Sequence, residues 1–505
     1  MNDGKKIKYN LLVGILGQLL ALVMGILLPK LFITNYGSEV NGLLSSVTNI
    51  YACIALIEAG VAAASCQALY KAFADQSRQG ISAVLSATNR FYHRSGLIYL
   101  CMILIFSVFY PLLIDSNIPY ITIVLVILFN GFGNVVNYFF HGKYLILLKA
   151  DGKNFVRTGL ETVTNTLKQI LKILLVWLGY NVVLVQFVAM LISFVQMIYI
   201  TYYVKKHYSW IDLKVEPDTR SISQSKNVLV HEINYLISAN VDTVLLTIFR
   251  TLETVSVYSL YNLLFGTVNR LLRTVRDAFE FKLADLFHKD RAVFKKAFQA
   301  FEVYYITFAF SIFSVVNYFI LPFVTTYTKG VEDATYADAS LPILFVLINL
   351  LSAGRYPSEA MIYITGHFEQ TQKSAMIESA LNVVVSAVFV QFWGIEGVLL
   401  GTVVSSLYRA NYLLVYVNSK IVGRRPISSY RCWLVNFAVF LCTLQINQYL
   451  VINLDTYVKI FLYCIPYTIA TFALYFGVIS VCINQAFQTV WGLIYREGIS
   501  KTVRK

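Results

Sequence analysis

Fourteen windows of mostly apolar residues, divided by short polar stretches, set the rhythm of this chain. They fall at about 11–33, 43–65, 95–114, 119–141, 159–178, 182–203, 228–249, 254–273, 302–322, 341–364, 374–393, 397–417, 432–451 and 458–481. Each is close to the about 20 residues that a helix needs to cross the hydrocarbon core of a bilayer. A helix meets its own backbone hydrogen bonds there, which an open strand cannot do in lipid. The pattern predicts an all-α polytopic membrane protein with about 14 transmembrane helices. The first window is too long for a cleaved signal peptide and lacks a small-residue cleavage site, so it is read as a span.

Spans one and two resemble spans seven and eight. Leu31-Phe32-Ile33 leads to Val40-Asn41-Gly42-Leu43-Leu44, and Leu246-Thr247-Ile248-Phe249 leads to Val255-Ser256-Val257-Tyr258-Ser259, at an offset of about 215 residues. Both copies begin on the same side of the membrane, so the repeat is parallel. The expected organisation is an N-terminal lobe of six spans over 1–204 and a polar inter-lobe linker over 205–227, with Pro217 in it. A second six-span lobe follows over 228–420, then two peripheral spans and a tail over 421–505. Two such pseudo-symmetric halves are a transporter-like plan, with substrate held between them.

Composition narrows the class further. Of 505 residues, 57% are hydrophobic and only 13% charged, against about 25% in soluble domains. That is too little charge to cover two to four soluble domains, which excludes an ordinary cytosolic enzyme, a disordered chain and a secreted disulfide scaffold. The seven cysteines form no CxxC or Cys/His cluster, so zinc and redox motifs are absent.

The net charge of +14 would suggest nucleic acid in a soluble protein. Its distribution argues otherwise. With the N-terminus inside, 33 of the 41 lysines and arginines fall in inside segments. Three fall outside (Arg250, Lys329, Lys459) and five within spans (Lys30, Lys168, Lys172, Arg355, Arg409). That asymmetry is the positive-inside pattern and places both termini in the cytoplasm. The bases are spread over eight segments rather than one patch, so no nucleic-acid partner is expected. Residues 274–301 read as helix continuing from span eight, with Phe279, Leu283, Leu286 and Phe287 at helical spacing.

The charges within spans are the candidate chemistry, because a charge at the bilayer centre costs at least about 2.5–3.5 kcal/mol. Glu161, Asn165, Lys168 and Lys172 share one helical stripe of span five. It reads either as a cationic cavity wall or as a stripe tied to another helix by ion pairs. Arg355 and Glu359 flank Pro357 in span ten, and Arg409 lies in the inner third of span twelve. Lys30 sits near the outer end of span one. Arg270 and Arg273 close span eight, where they also serve as topology anchors. Glu58, Glu161, Asp242, Glu359 and Glu378 are carboxylates that could carry a coupling ion or neutralise these bases. His231, Tyr235, Ser238 and Asp242 recur on one face of span seven. Bases at membrane depth imply an anionic ligand, since Lys and Arg bind phosphate well.

The chain resembles the Wzx-type oligosaccharide flippases of the MATE-like exporter (MOP) superfamily. The resemblance is carried by Leu56-Ile57-Glu58-Ala59-Gly60 through Leu69-Tyr70-Lys71, and by Leu148-Lys149-Ala150-Asp151-Gly152-Lys153-Asn154-Phe155-Val156. It continues in Val255-Ser256-Val257-Tyr258-Ser259-Leu260-Tyr261-Asn262, Arg355-Tyr356-Pro357 and Gly366-His367-Phe368-Glu369-Gln370-Thr371. Ala72 is a departure, because relatives often have Pro there. The resemblance implies two six-helix lobes around a central cavity, plus two peripheral helices, in the cytoplasmic membrane. It implies that undecaprenyl-diphosphate-linked oligosaccharide is flipped from the inner to the outer leaflet by alternating access, for capsule, O-antigen or exopolysaccharide export. On that reading Lys168, Lys172, Arg355 and Arg409 bind the diphosphate sugar head, with Arg270, Arg273 and Lys30 as further bases. Membrane lipids and polysaccharide polymerase machinery are the implied partners. Coupling to a H⁺ or Na⁺ gradient is implied for the superfamily; no cofactor or metal is expected.

Three other classes compete. A MATE-like cation-coupled exporter of small amphipathic molecules calls for an acidic aromatic cavity, which the buried bases oppose. A membrane polysaccharide polymerase or ligase calls for a large outside loop, and the longest here is near 323–340. An ion channel fits a parallel repeat with charges on non-equivalent spans less well than a carrier does.

Overall fold

The computed structural model describes residues 23–55, 61–219, 226–450, 452–484 and 488. Among them every regular element is helical. The chain runs α1 (Val23–Tyr36), α2 (Ser38–Ile54), α3 (Val61–Ala74), α4 (Arg78–Leu113) and α5 (Tyr120–Val136). A π-turn at Asn137–His141 leads into α6 (Gly142–Ala150), α7 (Asn154–Trp177), α8 (Val182–His207), α9 (Lys226–Phe249) and α10 (Leu252–Lys289). Then come α11 (Arg291–Tyr327), α12 (Ser340–Thr365), α13 (Phe368–Tyr416), a second π-turn (Val417–Val422), α14 (Ile427–Tyr449) and α15 (Tyr457–Cys482).

Among the described residues, eight helical stretches are long and apolar enough to cross a membrane by length and composition: α4, α5, α8, α11, α12, α13 with the π-turn after it, α14 and α15. The chain is thus a multi-pass, all-helical membrane protein. The two stretches expected as spans eleven and twelve lie within α13. At Gly394, φ is 58° and ψ is −124°, and the chain turns there between two helical segments. Only glycine adopts that backbone without strain. The continuous helix expected over 274–301 is instead two helices. Asp290 ends the run because its carboxylate accepts from the amides of Ala292 and Val293, capping α11.

Two compact units divide the chain. Unit one comprises residues 1–260 with 330–334; unit two comprises 261–329 and 335–505. The division falls within α10, whose Leu252 and Ser256 approach Gly42 and Asn41 of α2. The sequence repeat, which sets lobe bounds at 204 and 228, is a separate property of the chain. In unit one, α5 packs on α4 and α8, and α8 on α7. Tyr51, Tyr99, Tyr92 and Tyr138 run through this core, and the Tyr51 hydroxyl donates to the carbonyl of Ile127 at 2.5 Å. The strings that carry the internal repeat touch: the Asn41 amide donates to the buried Ser256 hydroxyl at 2.7 Å. The polar stretch after α8 is strapped to α4. Ser86 donates to the Leu213 carbonyl at 3.0 Å, and the Asp218 amide donates to the Ala83 carbonyl at 3.2 Å.

In unit two, α11 is the hub, packing on α12, α14 and α15. A buried cluster ties the last helices to it. Glu302 of α11 is 3% exposed. It pairs with Arg424 and accepts from the Ser429 hydroxyl at 2.8 Å.

Candidate functional site

The polar stripe of span five opens onto a cavity. Four helices of unit one, α2, α5, α7 and α8, with the first π-turn and Leu145 of α6, enclose a space of about 400 Å³. Glu161, Lys168 and Lys172 line it from α7. From α5 and the π-turn come Asn130, Asn134 and Asn137, spaced four and three apart on one helical face. From α8 come Gln186, Ser193 and Gln196. The π-turn widens the backbone where Asn137 enters the wall, a distortion often found at functional sites.

The charges here are unbalanced. Lys172 Nζ donates to Gln186 Oε1 at 3.1 Å. Glu161, the one carboxylate in the wall, is engaged by Arg157 at 2.9 Å. Neither Lys168 nor Lys172 has an ion-pair partner within 4.0 Å among the described residues. Gln186 Nε2 and Asn137 Oδ1 are buried without a hydrogen-bond partner. A buried polar atom left so is costly, on the order of 1–3 kcal/mol. The wall therefore presents two cations, an unused donor and an unused acceptor to whatever enters. Asn165, on the same stripe, is exposed and lies outside this wall.

The arginines of spans ten and twelve lie in unit two and are already paired. Arg355 binds Glu359 at 3.0 Å and also Glu378. Arg409 reaches Glu378 at 3.4 Å and donates to the Thr371 carbonyl at 3.1 Å and to Ser374. Arg276 of α10 approaches Glu359 at 3.8 Å, and Arg273 donates to the Tyr356 hydroxyl at 3.1 Å. One network thus joins α10, α12 and α13.

The remaining candidates scatter. Arg270 is exposed and donates to Thr267 of its own helix at 2.9 Å. Lys30 is half-buried on α1 and is not in the cavity wall. Asp242 is buried in unit one and accepts from the Tyr258 hydroxyl at 3.0 Å. Glu58, and the side chains of His231, Tyr235 and Ser238, lie outside what is described.

The amides of α5 and α8 were the residues that sequence reasoning missed. Their signal was present, since Asn130, Asn134 and Asn137 have helical spacing within an apolar window. Arg276 belongs by sequence to an inside segment, and its position near Glu359 comes only from the approach of α10 to α12.

No protein-family profile matches the chain, and no curated protein sequence matches it. Solved structures do share its fold. A lipid II flippase, MurJ, in an inward closed conformation superposes with a TM-score of 0.65 at 14% identity, over 94% of this chain and 99% of the other. An inward-facing multidrug resistance MATE transporter of the MOP superfamily gives 0.58 at 17% identity, over 84% and 96%. A Vibrio cholerae MATE transporter, VcmN, gives 0.52 at 14%, over 83% and 99%. At these identities the likeness is one of fold.

Proposed function

We propose that this protein is a Wzx-type flippase, which moves an undecaprenyl-diphosphate-linked oligosaccharide from the inner to the outer leaflet of the cytoplasmic membrane. The observation that carries the reading is the cavity of unit one, where Lys168 and Lys172 face a wall of amides whose one carboxylate, Glu161, is engaged by Arg157. Two uncompensated ammonium groups attract a multiply charged anion. The amides of Asn130, Asn134, Asn137, Gln186 and Gln196 each offer a donor and an acceptor, which suits sugar hydroxyls. The fold likeness to a lipid II flippase supports a lipid-linked cargo in general.

Within this proposal the lysines carry the head group. Arg355 and Arg409 are neutralised by Glu359 and Glu378, so they hold unit two together and contribute only their residual field. Glu359, Glu378 and Asp242 are the proposed carboxylates for coupling to a H⁺ or Na⁺ gradient. Both termini face the cytoplasm, and transport proceeds by alternating access, with a polysaccharide polymerase taking up the product.

The test is translocation in vesicles. The protein is reconstituted with undecaprenyl-diphosphate oligosaccharides, and outer-leaflet sugar is followed with and without an imposed ion gradient. The double variant Lys168→Gln/Lys172→Gln is expected to lose at least about tenfold in rate, about 1.4 kcal/mol of interaction, with insertion intact. Wild-type rates in that variant would defeat the proposal. Export of organic cations with no lipid-linked transport would favour the drug-exporter reading instead.

A further inference from the structure

Two helices end in the same unusual way. On α8, Tyr199, Tyr203 and His207 form a ladder one turn apart, with ring centroids at 6.4 and 4.2 Å and interplanar angles of 22° and 23°. On the last turns of α13, Tyr408, Tyr412 and Tyr416 repeat it, at 6.4 and 6.0 Å with angles of 30° and 9°. Both ladders have the same four-residue spacing, and α8 and the second half of α13 are the sixth span of each expected repeat. Each ladder runs into lysine. Lys205 and Lys206 are exposed at the end of α8, where Lys206 lies over the Tyr202 ring at 5.8 Å. Lys420 is exposed in the π-turn after α13.

The α13 ladder is also a groove of about 370 Å³, lined by its three tyrosines with Asn411, Val415 and Lys420. Two of the three ladder hydroxyls are engaged by neighbouring groups. The Tyr416 hydroxyl bonds His367 Nδ1 at 3.0 Å, and the Tyr412 hydroxyl donates to the Gln370 carbonyl at 3.4 Å. The groove is thus a strip of ring faces, with Asn411 and Ser419 beside it, ending at Lys420, which has no ion-pair partner among the described residues. A tyrosine belt at a membrane interface would be scattered around the helix; these rings keep to one face and one register. We infer that this groove seats one chain of an anionic glycerophospholipid of the inner leaflet, with the lipid phosphate on Lys420, and that the α8 ladder is its repeat-related counterpart. The placement in the inner leaflet rests on the inside-positive orientation; the occupant follows from apolar ring faces ending in a cation.

The experiment uses the full-length protein in nanodiscs with trace phosphatidylglycerol or phosphatidylcholine that carries a photoreactive acyl chain, and adducts are mapped by mass spectrometry. Phosphatidylglycerol should label residues 408–420 in excess of phosphatidylcholine. Lys420→Gln should cut that excess about fivefold, equivalent to about 1 kcal/mol for one basic residue at a membrane surface. Tyr412→Phe, which keeps the ring, should leave labelling unchanged, whereas Tyr412→Ala should reduce it for both lipids. Equal labelling by the two lipids, adducts spread evenly over the helices, or a Lys420→Gln variant that labels like the wild type would overturn the inference. So would preferential labelling by a photoreactive polyprenyl phosphate, which would assign the groove to the tail of the cargo. None of these outcomes depends on whether the oligosaccharide is flipped.

Discussion

Gln186 and Glu378 hold basic side chains in opposite ways. Gln186 gives Lys172 a neutral acceptor at 3.1 Å and sets no carboxylate against its amine. Gln186→Glu changes little in volume but sets a carboxylate against that ammonium. The variant should retain its thermal stability yet lose at least about tenfold in translocation of the proposed anionic cargo. Transport and unfolding assays run side by side check both halves of that expectation. Glu378 is shared by Arg355 and Arg409, and its side chain is 12% exposed. Glu378→Gln leaves two buried guanidinium groups short of one anion and should cost roughly 3–5 kcal/mol, read as a fall in Tm in detergent. Glu359→Gln should cost less, because Arg355 keeps Glu378. The sequence made the α7 stripe visible, since Glu161, Lys168 and Lys172 recur at helical spacing in an apolar window. It did not show that Arg355 and Arg409 would meet on one carboxylate. That meeting is set by how α12 packs on α13, and nothing in the local pattern of either helix encodes it.

At the scale of elements, close approach governs what each helix tolerates. Gly42 of α2 lies against the start of α10, where a Cβ would overlap the carbonyl of Leu252. Backbone cannot step aside as a side chain can, so Gly42→Ala should separate the two helices and cost about 1–3 kcal/mol, again measured as Tm. The neighbouring bond from Asn41 to Ser256 should weaken with it. The helices were legible because apolar windows of that length form helices in lipid wherever they occur. Their ends were less so: Asp290 caps α11 through a short-range hydrogen bond that hydropathy does not register. The amides of α5 and α8 were overlooked for a related reason. An Asn or Gln in an apolar window leaves the charge count untouched, although it supplies much of the polar surface of the cavity.

For the whole molecule, the orientation drawn from the charge count has a direct check. In a cysteine-free background, Lys329→Cys should react with a membrane-impermeant thiol reagent added to intact cells, and Lys289→Cys should react only after the membrane is opened. Both lysines are exposed, so a reversed result would mean a reversed topology. The buried cluster of Glu302, Arg424 and Ser429 has a consequence for how the chain is made. Its acid and base are 122 residues apart. At about 5–20 residues per second, Glu302 leaves the ribosome roughly 6–24 seconds before Arg424 does. For that interval the nascent chain carries a carboxylate whose guanidinium has not been synthesised. Chains that terminate before residue 424 stay in that state, and they should be the ones that quality-control proteases of the membrane remove.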